Sequence, residues 1–452
     1  MHPSQQRRER DRRSADLSSS QAPAALKTDA IVTAMPLAPA LAPTLVPTLA
    51  AEISGSQQFL YAAMIGVLII NLFAPQTLLE QIGTALGLAQ DQRGLIAMLP
   101  QLGYAAGLLL VVPLTDLTEN RALLTRVTSC CALALACAAF APSTWLFLLA
   151  IFIAGATTCA IQMLVPLVAS MVAEAHRGKV IGNVMSGLMV GLLLSRPLSN
   201  LLVDVGGWRL LYGMMAVSVA LVAVALRMIV SVRHPVRPAG GLTYGALIGS
   251  LWGLLKNQPV LQLRALTAAL CMASFTAFWT VIALLLSQAP FAMSPRQIAL
   301  FALVGASGAV VAPIAGRIGD RGWTRRATII AHLSAIAGLV IAGVAGAGWG
   351  GFDAAAHPWL ALGLLAAVAV LVDAGVTTDQ TLGRRAINLL SPEQRGRLNG
   401  LFVAIFFIGS SLGAFVATIA WAAGGWTAVC LVGIAFMSIA LLVYCLASSV
   451  EA

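Results

Sequence analysis

The stretch GRIGDRGWTRR, residues 316–326, concentrates charge in a tight turn within a very apolar chain. It holds four arginines and one aspartate, is punctuated by three glycines, and has apolar sequence on both sides. Only 10% of the whole chain is Asp, Glu, Lys or Arg. A charged turn between apolar segments indicates a loop that joins two membrane-spanning helices at the membrane surface.

The composition of the 452-residue chain indicates an integral membrane protein built from helices. Hydrophobic residues make up 59% of it and the mean hydropathy is +0.89, whereas a soluble globular protein carries roughly 25% charged residues. Apolar runs of about 18 or more residues recur, which can cross a hydrocarbon core of about 30 Å and are too long for barrel strands. The net charge of +10 is attributed to loop arginines, so no nucleic-acid partner is expected.

Twelve apolar segments follow a polar N-terminal region. Residues 1–56 join a basic run to a Pro/Ala/Ser-rich stretch and are expected to form a disordered cytoplasmic tail. A long cytoplasmic linker, residues 232–259, includes a short amphipathic stretch and divides the segments into six and six. The expected domains are an N-terminal six-helix domain (57–231), a C-terminal six-helix domain (260–447) and a C-terminal tail (448–452). The expected segments are 58–79, 94–115, 122–142, 145–171, 180–203, 209–231, 260–287, 297–315, 327–347, 358–382, 398–421 and 427–447.

Lysine and arginine are divided unevenly between the two sides of these segments. The connections that follow even-numbered segments hold most of them, whereas the opposite connections hold only Arg93, Arg209 and Arg296. Positively charged loops stay in the cytoplasm, so both chain termini are expected on the cytoplasmic side of the membrane.

The two halves of the chain repeat each other in sequence. The motif Gly-Gly-Trp occurs at 206–208 and again at 424–426, a separation of 218 residues (424 − 206). Gly191 and Gly409 have the same separation (409 − 191). The repeat predicts two related six-helix domains, and the glycines of segments five and eleven are expected to allow close helix packing. These glycines are Gly182, Gly187, Gly191, Gly400, Gly409 and Gly413.

The pattern G-x-x-x-D-R-G-x-x-R-R in residues 316–326 resembles the loop signature of the major facilitator superfamily. The stretches PQLGYAAGLLLVVPLTD, RGKVIGNVMSGLMVGLLLSRPLSNLL and QRGRLNGLFVAIFFIGSSLGAF are similar to its bacterial branch of twelve-helix sugar, nucleoside and drug efflux permeases. The resemblance covers residues 57–447. It implies an all-α fold of twelve transmembrane helices in two pseudo-symmetric six-helix domains. It also implies a multi-pass protein of the bacterial cytoplasmic (inner) membrane that works by alternating access.

In this family the acidic residue and the arginines of the loop form an ion-pair network on the cytoplasmic side, which stabilises the outward-open state. Gly316 and Gly319 would allow close helix approach, and Gly322 would supply the turn. Such a charge cluster acts as a conformational latch; the alternative is that the arginines only anchor the topology. The first-half copy departs from the family pattern at Val112 and Asn120. The latch candidates are Asp116, Arg121, Gly316, Asp320, Arg321, Gly322, Arg325 and Arg326.

Two aspartates in segment ten are the candidates for proton coupling. A charged residue within a spanning segment costs roughly 2.5–3.5 kcal/mol on insertion, so Asp373 and Asp379 are candidates for a functional role. A carboxylate in a low-dielectric cavity can take up and release a proton, as an antiporter requires; the alternative is a packing role with hydroxyl or backbone partners. Asp373 is the first choice because Asp379 is expected nearer the cytoplasmic exit. The acid in segment one and the arginine in segment four of the drug antiporters are missing here, and segment one offers Asn71 and Gln76.

Other polar and aromatic side chains of the segments could line a substrate cavity. Arg196 could hold an anionic substrate group, pair with a carboxylate across the cavity, or pair with Asp204. His332 in segment nine could titrate or stay buried and neutral. A mixed aromatic and amide lining suits a neutral or amphipathic solute, although each residue alone could serve packing. The cavity candidates are Asn71, Gln76, Gln101, Gln162, Arg196, Phe275, Phe278 and Trp279.

Three functions remain open: a proton-coupled exporter, an uptake or facilitative carrier, and a non-transporting membrane sensor or intramembrane enzyme. The chain has no HExxH motif and no Walker A motif, so neither an enzyme nor an ATP-driven pump is expected. Its seven cysteines form no Cys-x-x-Cys pair or Cys/His cluster in sequence, so neither a metal nor a cofactor is expected. The expected protein is a monomer in the lipid bilayer that moves a small-molecule substrate, driven by an ion gradient with protons as the ion.

Overall fold

The computed structural model describes residues 54–232, 234, 243–391 and 394–447, and every regular element among them is a helix. The chain divides into one unit from Met1 to Leu49 and a second from Ala50 to Ala452, and all described residues belong to the second. The predicted N-terminal tail lies outside the described residues apart from 54–56, and so does the whole predicted C-terminal tail.

The described residues form fourteen α-helices and five short 3-10 helices. The α-helices are α1 Gly55–Phe73, α2 Leu79–Ala85, α3 Gly94–Leu110, α4 Asn120–Ala139, α5 Thr144–Thr158, α6 Ala160–Ser170, α7 Glu174–Ile229, α8 Tyr244–Asn257, α9 Pro259–Ser287, α10 Pro295–Ala302, α11 Ser307–Asp320, α12 Thr324–Ala347, α13 Pro358–Leu390 and α14 Arg395–Ala447. The 3-10 helices are Ala74–Thr77, Gln90–Gln92, Val112–Asp116, Leu303–Ala306 and Trp349–Gly351.

Helix ends follow the capping chemistry of the sequence. Ser54 and Ser294 each accept a hydrogen bond from the backbone three residues on, and the side chains of Gln57 and Gln297 return the bond, so α1 and α10 begin with capping boxes. Helix α12 ends at Gly348, whose φ of 72° lies in the left-handed region that a residue without a Cβ adopts most easily.

Helices α7 and α14 each contain two membrane spans, because the repeated glycine pair interrupts the helical backbone. Gly206 and Gly207 have φ/ψ of −151°/17° and 74°/176°, and Gly424 and Gly425 have −154°/20° and 60°/−149°. Ten stretches of described helix are long and apolar enough to cross a membrane. Counting both parts of α7 and α14, they supply the twelve spans that the sequence predicts. The tenth span is longer than predicted, since α13 extends to Leu390.

Glycines bring corresponding helices of the two halves into backbone contact. A Cβ on Gly191 of α7 would lie 2.7 Å from the Cα of Gly66 in α1. A Cβ on Gly409 of α14 would lie 2.6 Å from the Cα of Ala269 in α9. The same crossing is therefore built twice, as the sequence repeat predicts. Gly182 and Gly400 do not have the expected packing role, because a Cβ at either position would meet no atom within 4 Å.

Among the described residues, two pairs of α-helices make the most extensive contacts between the halves. Helices α3 and α14 pack together along their length; the rings of Tyr104 and Phe407 have centroids 4.7 Å apart. Helix α7 also packs against α10. Helix α11, which continues the same span after α10, has no comparable packing on α7 among the described residues. The halves are thus closed on each other at the α10 end and farther apart at the α11 end.

Replacing Gly409 by leucine is expected to destabilise the protein, because the new side chain would collide with the backbone of Ala269. Overpacking of this kind costs about 1–3 kcal/mol or more. The measurement is thermal unfolding of the purified protein in detergent. The Gly400→Leu variant is the matched control on the same helix, and equal melting temperatures for the two variants would contradict the crossing described here.

Candidate transport site

Asp373 lies near the middle of α13 and is 3% exposed. Its Oδ1 accepts a hydrogen bond of 3.0 Å from Trp279 Nε1 on α9. A Cβ on Gly305 would lie 3.2 Å from Asp373 Oδ2, so the missing side chain leaves room for the carboxylate beside the connection between α10 and α11. A buried carboxylate with one hydrogen-bond donor needs a compensating charge nearby.

Arg196 of α7 supplies that charge from the other half of the protein. Its guanidinium carbon lies 4.6 Å from the centroid of the Trp279 ring, whose Nε1 binds Asp373; Arg196 and Asp373 are close enough to attract each other but form no direct ion pair. Arg196 Nη2 donates to Gln76 Oε1 at 3.3 Å. Arg196 Nε and Gln76 Nε2 are buried and have no hydrogen-bond partner among the described residues. The carboxylate facing Arg196 is therefore Asp373, and the alternative partner Asp204 forms no ion pair with any described residue.

We call Gln76, Arg196, Trp279 and Asp373 the central cluster. It joins the end of α1 and the fifth span to the seventh and tenth spans. Trp279 touches both charges, and Phe275 adds a half-buried ring with its centroid 6.3 Å from that of Trp279. An arginine stacked on tryptophan out of water gains about 2 kcal/mol or more, so the cluster holds the halves together at this level.

Amide side chains make a second set of contacts between and within the halves. The Ser410 hydroxyl of α14 donates to Gln101 Oε1 of α3, and lies 2.8 Å from the hydroxyl of Thr276 on α9. Gln162 of α6 donates to the Tyr104 hydroxyl at 3.1 Å. Gln101 therefore belongs to the junction of the halves, and Gln162 stands beside it through Tyr104.

Two predicted cavity residues are packed inside their own halves instead. Asn71 faces α4, where its Nδ2 lies 3.8 Å from Cys131 Sγ. Phe278 packs on Trp426, with ring centroids 5.8 Å apart, within the apolar core of the second half. Phe278 also packs edge-to-face on Trp279 of the central cluster, with ring centroids 5.5 Å apart, and the sequence pattern alone predicts neither this packing nor the contact of Asn71.

Asp379 does not join Asp373. It is fully buried among the helices of the second half, where its Oδ1 lies 3.1 Å from His332 Nε2 and 4.0 Å from Arg264 Nη1. Asp379 is therefore enclosed within the second half and does not line the junction of the halves. Arg264 was missed by the sequence reasoning, although an arginine inside the apolar seventh segment is the kind of costly charge that should have singled it out.

Within the described residues, the charged stretch 316–326 forms one ion pair. Arg385 Nε donates a hydrogen bond to Asp320 Oδ1 at 3.0 Å. The sequence predicts Arg385 in the connection after the tenth span, whereas the structure places it within α13. Gly319 permits this contact, since a Cβ there would lie 3.1 Å from Arg385 Cδ. Gly322 has a φ of 78°, which favours glycine. Gly316 meets no atom within 4 Å, so the expected close approach does not occur there.

The remaining charged latch candidates form no ion pair with a described residue. Arg321, Arg325 and Arg326 are exposed, and none forms an ion pair with a described residue. In the first half, Asp116 is exposed at the end of a 3-10 helix. The neighbouring Glu119 caps α4 by accepting from the backbone of Arg121, so the two copies of the loop differ in detail.

A cavity of about 390 Å³ lies beside the first-half loop, between α3, α6, α8 and α14. Most of its lining is apolar, with Leu251 of α8 and Leu401 of α14 among the walls. Its polar groups include Asp116, Gln162 and Arg397. Arg397 also donates to Ser250 at 3.2 Å, which ties the amphipathic helix α8 to α14.

Replacing Asp320 by asparagine is expected to slow transport while leaving the fold intact. The pair is largely exposed, so its loss should change the free energy of unfolding by about 1 kcal/mol at most. A free-energy change of about 1 kcal/mol still shifts the equilibrium between two conformations of the protein by about fivefold. The measurement is transport rate at matched expression, with Arg326→Gln as the control for loss of an unpaired charge. Restored transport in the swapped pair Asp320→Arg/Arg385→Asp would support the contact, and a normal rate for Asp320→Asn would contradict it.

Comparison with known proteins gives consistent relatives. Residues 58–352 match the family model described as Major Facilitator Superfamily. The chain is 33% identical over 394 residues to YgaY of Escherichia coli (strain K12), a protein named only as a transporter, covering 87% of this chain and 96% of YgaY. It is 29% identical over 379 residues to the Streptomyces coelicolor transporter SCO4007, covering 84% of both chains.

Solved structures agree on the fold. A bacterial homologue of the human lysosomal transporter Spinster, in an inward-facing and occupied conformation, has a TM-score of 0.64 at 16% identity, with 87% of this chain and 96% of that chain covered. The nucleoside transporter NupG has a TM-score of 0.65 at 14% identity, with 86% and 99% covered.

Proposed function

Because the chain belongs to the major facilitator superfamily, a family of transporters, we propose that it exports a small organic molecule in exchange for protons by alternating access. The substrate is a drug, sugar, nucleoside or other metabolite. One observation carries the proposal: Asp373 is a buried carboxylate at the junction of the halves, and it faces Arg196 through Trp279. A single proton on Asp373 changes the charge that holds this junction.

The proposed cycle uses that change of charge. With Asp373 ionised, its attraction to Arg196 keeps α7 against α10 and holds the transporter closed at that end. A substrate whose polar group binds Arg196 or Gln76 competes with Asp373 and loosens the closure. After release, Asp373 takes up a proton and the empty carrier returns. Re-formation of the contact with Arg196 then favours the ionised carboxylate, so the proton is lost to the cytoplasm.

The distribution of arginines among the loops supports an assignment of the open end of the transporter to the cytoplasmic side of the membrane. If the arginine-rich loops are cytoplasmic, the closed α7/α10 end faces outside and the open α7/α11 end faces the cytoplasm. The structure would then represent an inward-facing state, ready to take up a cytoplasmic solute. Asp379 has no part in this cycle because it is enclosed within the second half, away from the central cluster.

The proposed setting is the bacterial inner membrane, with both termini in the cytoplasm. The protein acts as a monomer surrounded by lipid, without cofactor or nucleic acid, and the cycle contains no catalytic step. The proton gradient is the source of energy.

A growth-inhibition profile in an efflux-deficient bacterium tests export and identifies the substrate class. Cells carrying the wild-type protein are compared with empty-vector cells over antibiotics, dyes, sugars and nucleoside analogues. Resistance to one class is expected, with flux of that class in everted vesicles that stops when the proton gradient is collapsed. Heightened sensitivity would replace export by uptake, and flux that persists without a gradient would replace antiport by facilitated diffusion.

A further inference from the structure

The second half contains a cluster of side chains that can bind a metal ion, and no sequence motif predicts it. Cys271 of α9, His332 of α12, Asp379 of α13 and Met437 of α14 meet there, and all four are fully buried. Cys271 Sγ lies 3.2 Å from His332 Nε2 and 3.7 Å from Met437 Sδ. His332 Nε2 lies 3.1 Å from Asp379 Oδ1. One donor atom each from the cysteine, histidine and aspartate fall within 4.8 Å of one another.

The spacing of these atoms fits one small ion at their centre. Bonds of about 2.0–2.3 Å in a tetrahedral site place neighbouring ligand atoms about 3.3–3.8 Å apart. The distances of 3.1, 3.2 and 3.7 Å are close to that range. The cysteine, histidine and aspartate atoms all lie within 4.8 Å of one another, so movements of at most about 1 Å would bring these three to tetrahedral spacing.

A second observation separates this cluster from an ordinary buried ion pair. Arg264 lies 4.0 Å from Asp379 Oδ1, which compensates the carboxylate in part. Asp379 Oδ2, the oxygen not engaged with His332, has no hydrogen-bond partner among the described residues and is free to become a second ligand atom of the same carboxylate. A buried polar atom left unsatisfied costs about 1–3 kcal/mol. An ion pair alone also gives no reason for a thiol and a thioether to face the imidazole together.

The donor types and the charges select the class of ion. Thiolate and thioether sulfur suit copper(I) and zinc, and imidazole nitrogen suits both metals. With Cys271 as thiolate and Asp379 ionised beside Arg264, these three groups together carry one net negative charge. A monovalent cation makes the buried cluster neutral, whereas a divalent cation would leave a buried positive charge, which is costly.

We propose that Cys271, His332, Asp379 and Met437 form a binding site for a monovalent soft metal ion, copper(I), in the second half of the transporter. Binding releases the thiol proton of Cys271 to solvent, and the metal then links four helices. The site is separate from the central cluster, so it does not depend on the proposed direction or coupling of transport.

Competition with a copper(I) chelator tests the site. The purified full-length protein in detergent is titrated anaerobically with copper(I) in the presence of bicinchoninate. The wild type is expected to take one more equivalent from the chelator than Cys271→Ser. The matched control is Cys430→Ser, a buried cysteine on the same helix as Met437, which should bind like the wild type. Adventitious binding at the other cysteines is common to all three proteins.

X-ray absorption at the copper edge gives a reading that does not depend on stoichiometry. Two sulfur ligands are expected in the wild type and one in Met437→Leu. Equal uptake by the wild type and a folded Cys271→Ser variant would overturn the proposal, and so would a wild type that takes up no copper(I) against the chelator. Tighter binding of zinc(II) than of copper(I) would overturn the monovalent assignment.

Discussion

Replacing Asp373 by asparagine is expected to reduce proton-driven efflux to the level of vesicles that lack the protein, without unfolding it. Asparagine has nearly the same shape, and its side-chain oxygen can still accept the hydrogen bond from Trp279 Nε1. What it lacks is a charge that a proton can remove. The measurement is efflux driven by an imposed pH gradient, made beside exchange of labelled for unlabelled substrate with no gradient. Exchange is expected to persist, because it needs no net movement of protons.

The control for this experiment is Asp204→Asn, since Asp204 is exposed and forms no ion pair with a described residue. That variant should keep both activities. Gradient-driven efflux at the wild-type rate in Asp373→Asn would remove Asp373 from the coupling mechanism. Loss of exchange together with efflux would instead assign Asp373 to substrate binding.

The twelve spans and the repeat could be predicted from sequence because membrane insertion and backbone chemistry act locally. An apolar run of sufficient length must become a helix, and a repeated Gly-Gly pair at 206 and 424 breaks both long helices in the same way. The last residue of the tenth span is harder to predict from sequence. Arg384 and Arg385 look like loop residues, yet α13 carries them past the apolar stretch, and Asp320 therefore finds Arg385 on a neighbouring helix.

The sites were only partly predictable, because they depend on how helices rotate about their axes. Burial of charge singles out Asp373 and Arg196 separately, but only the tertiary structure shows that the Trp279 side chain contacts both. The metal-ligand cluster had no local signal at all. Cys271 and His332 are 61 residues apart, and His332 and Asp379 are 47 apart, so no spacing motif could connect them.

Replacing Arg196 by glutamine is expected to destabilise the protein more on its own than together with Asp373→Asn. Removing one of two buried opposite charges leaves the other less compensated, which costs up to about 3–5 kcal/mol, the value for a direct buried salt bridge. The second substitution removes that stranded charge, so the double variant should regain part of the loss. The measurement is thermal unfolding in detergent for the wild type, the two single variants and the double variant.

The same cycle with Asp379→Asn in place of Asp373→Asn is the matched control. Asp379 is compensated by Arg264 and contacted by His332, so its effect should add to that of Arg196→Gln. Additivity in the control and a favourable interaction between Arg196 and Asp373 would mean that the closure between the halves depends on this pair. Additivity in both cycles would mean that Arg196 is held by Trp279 and Gln76 alone. The proton on Asp373 would then have no route by which to open the junction.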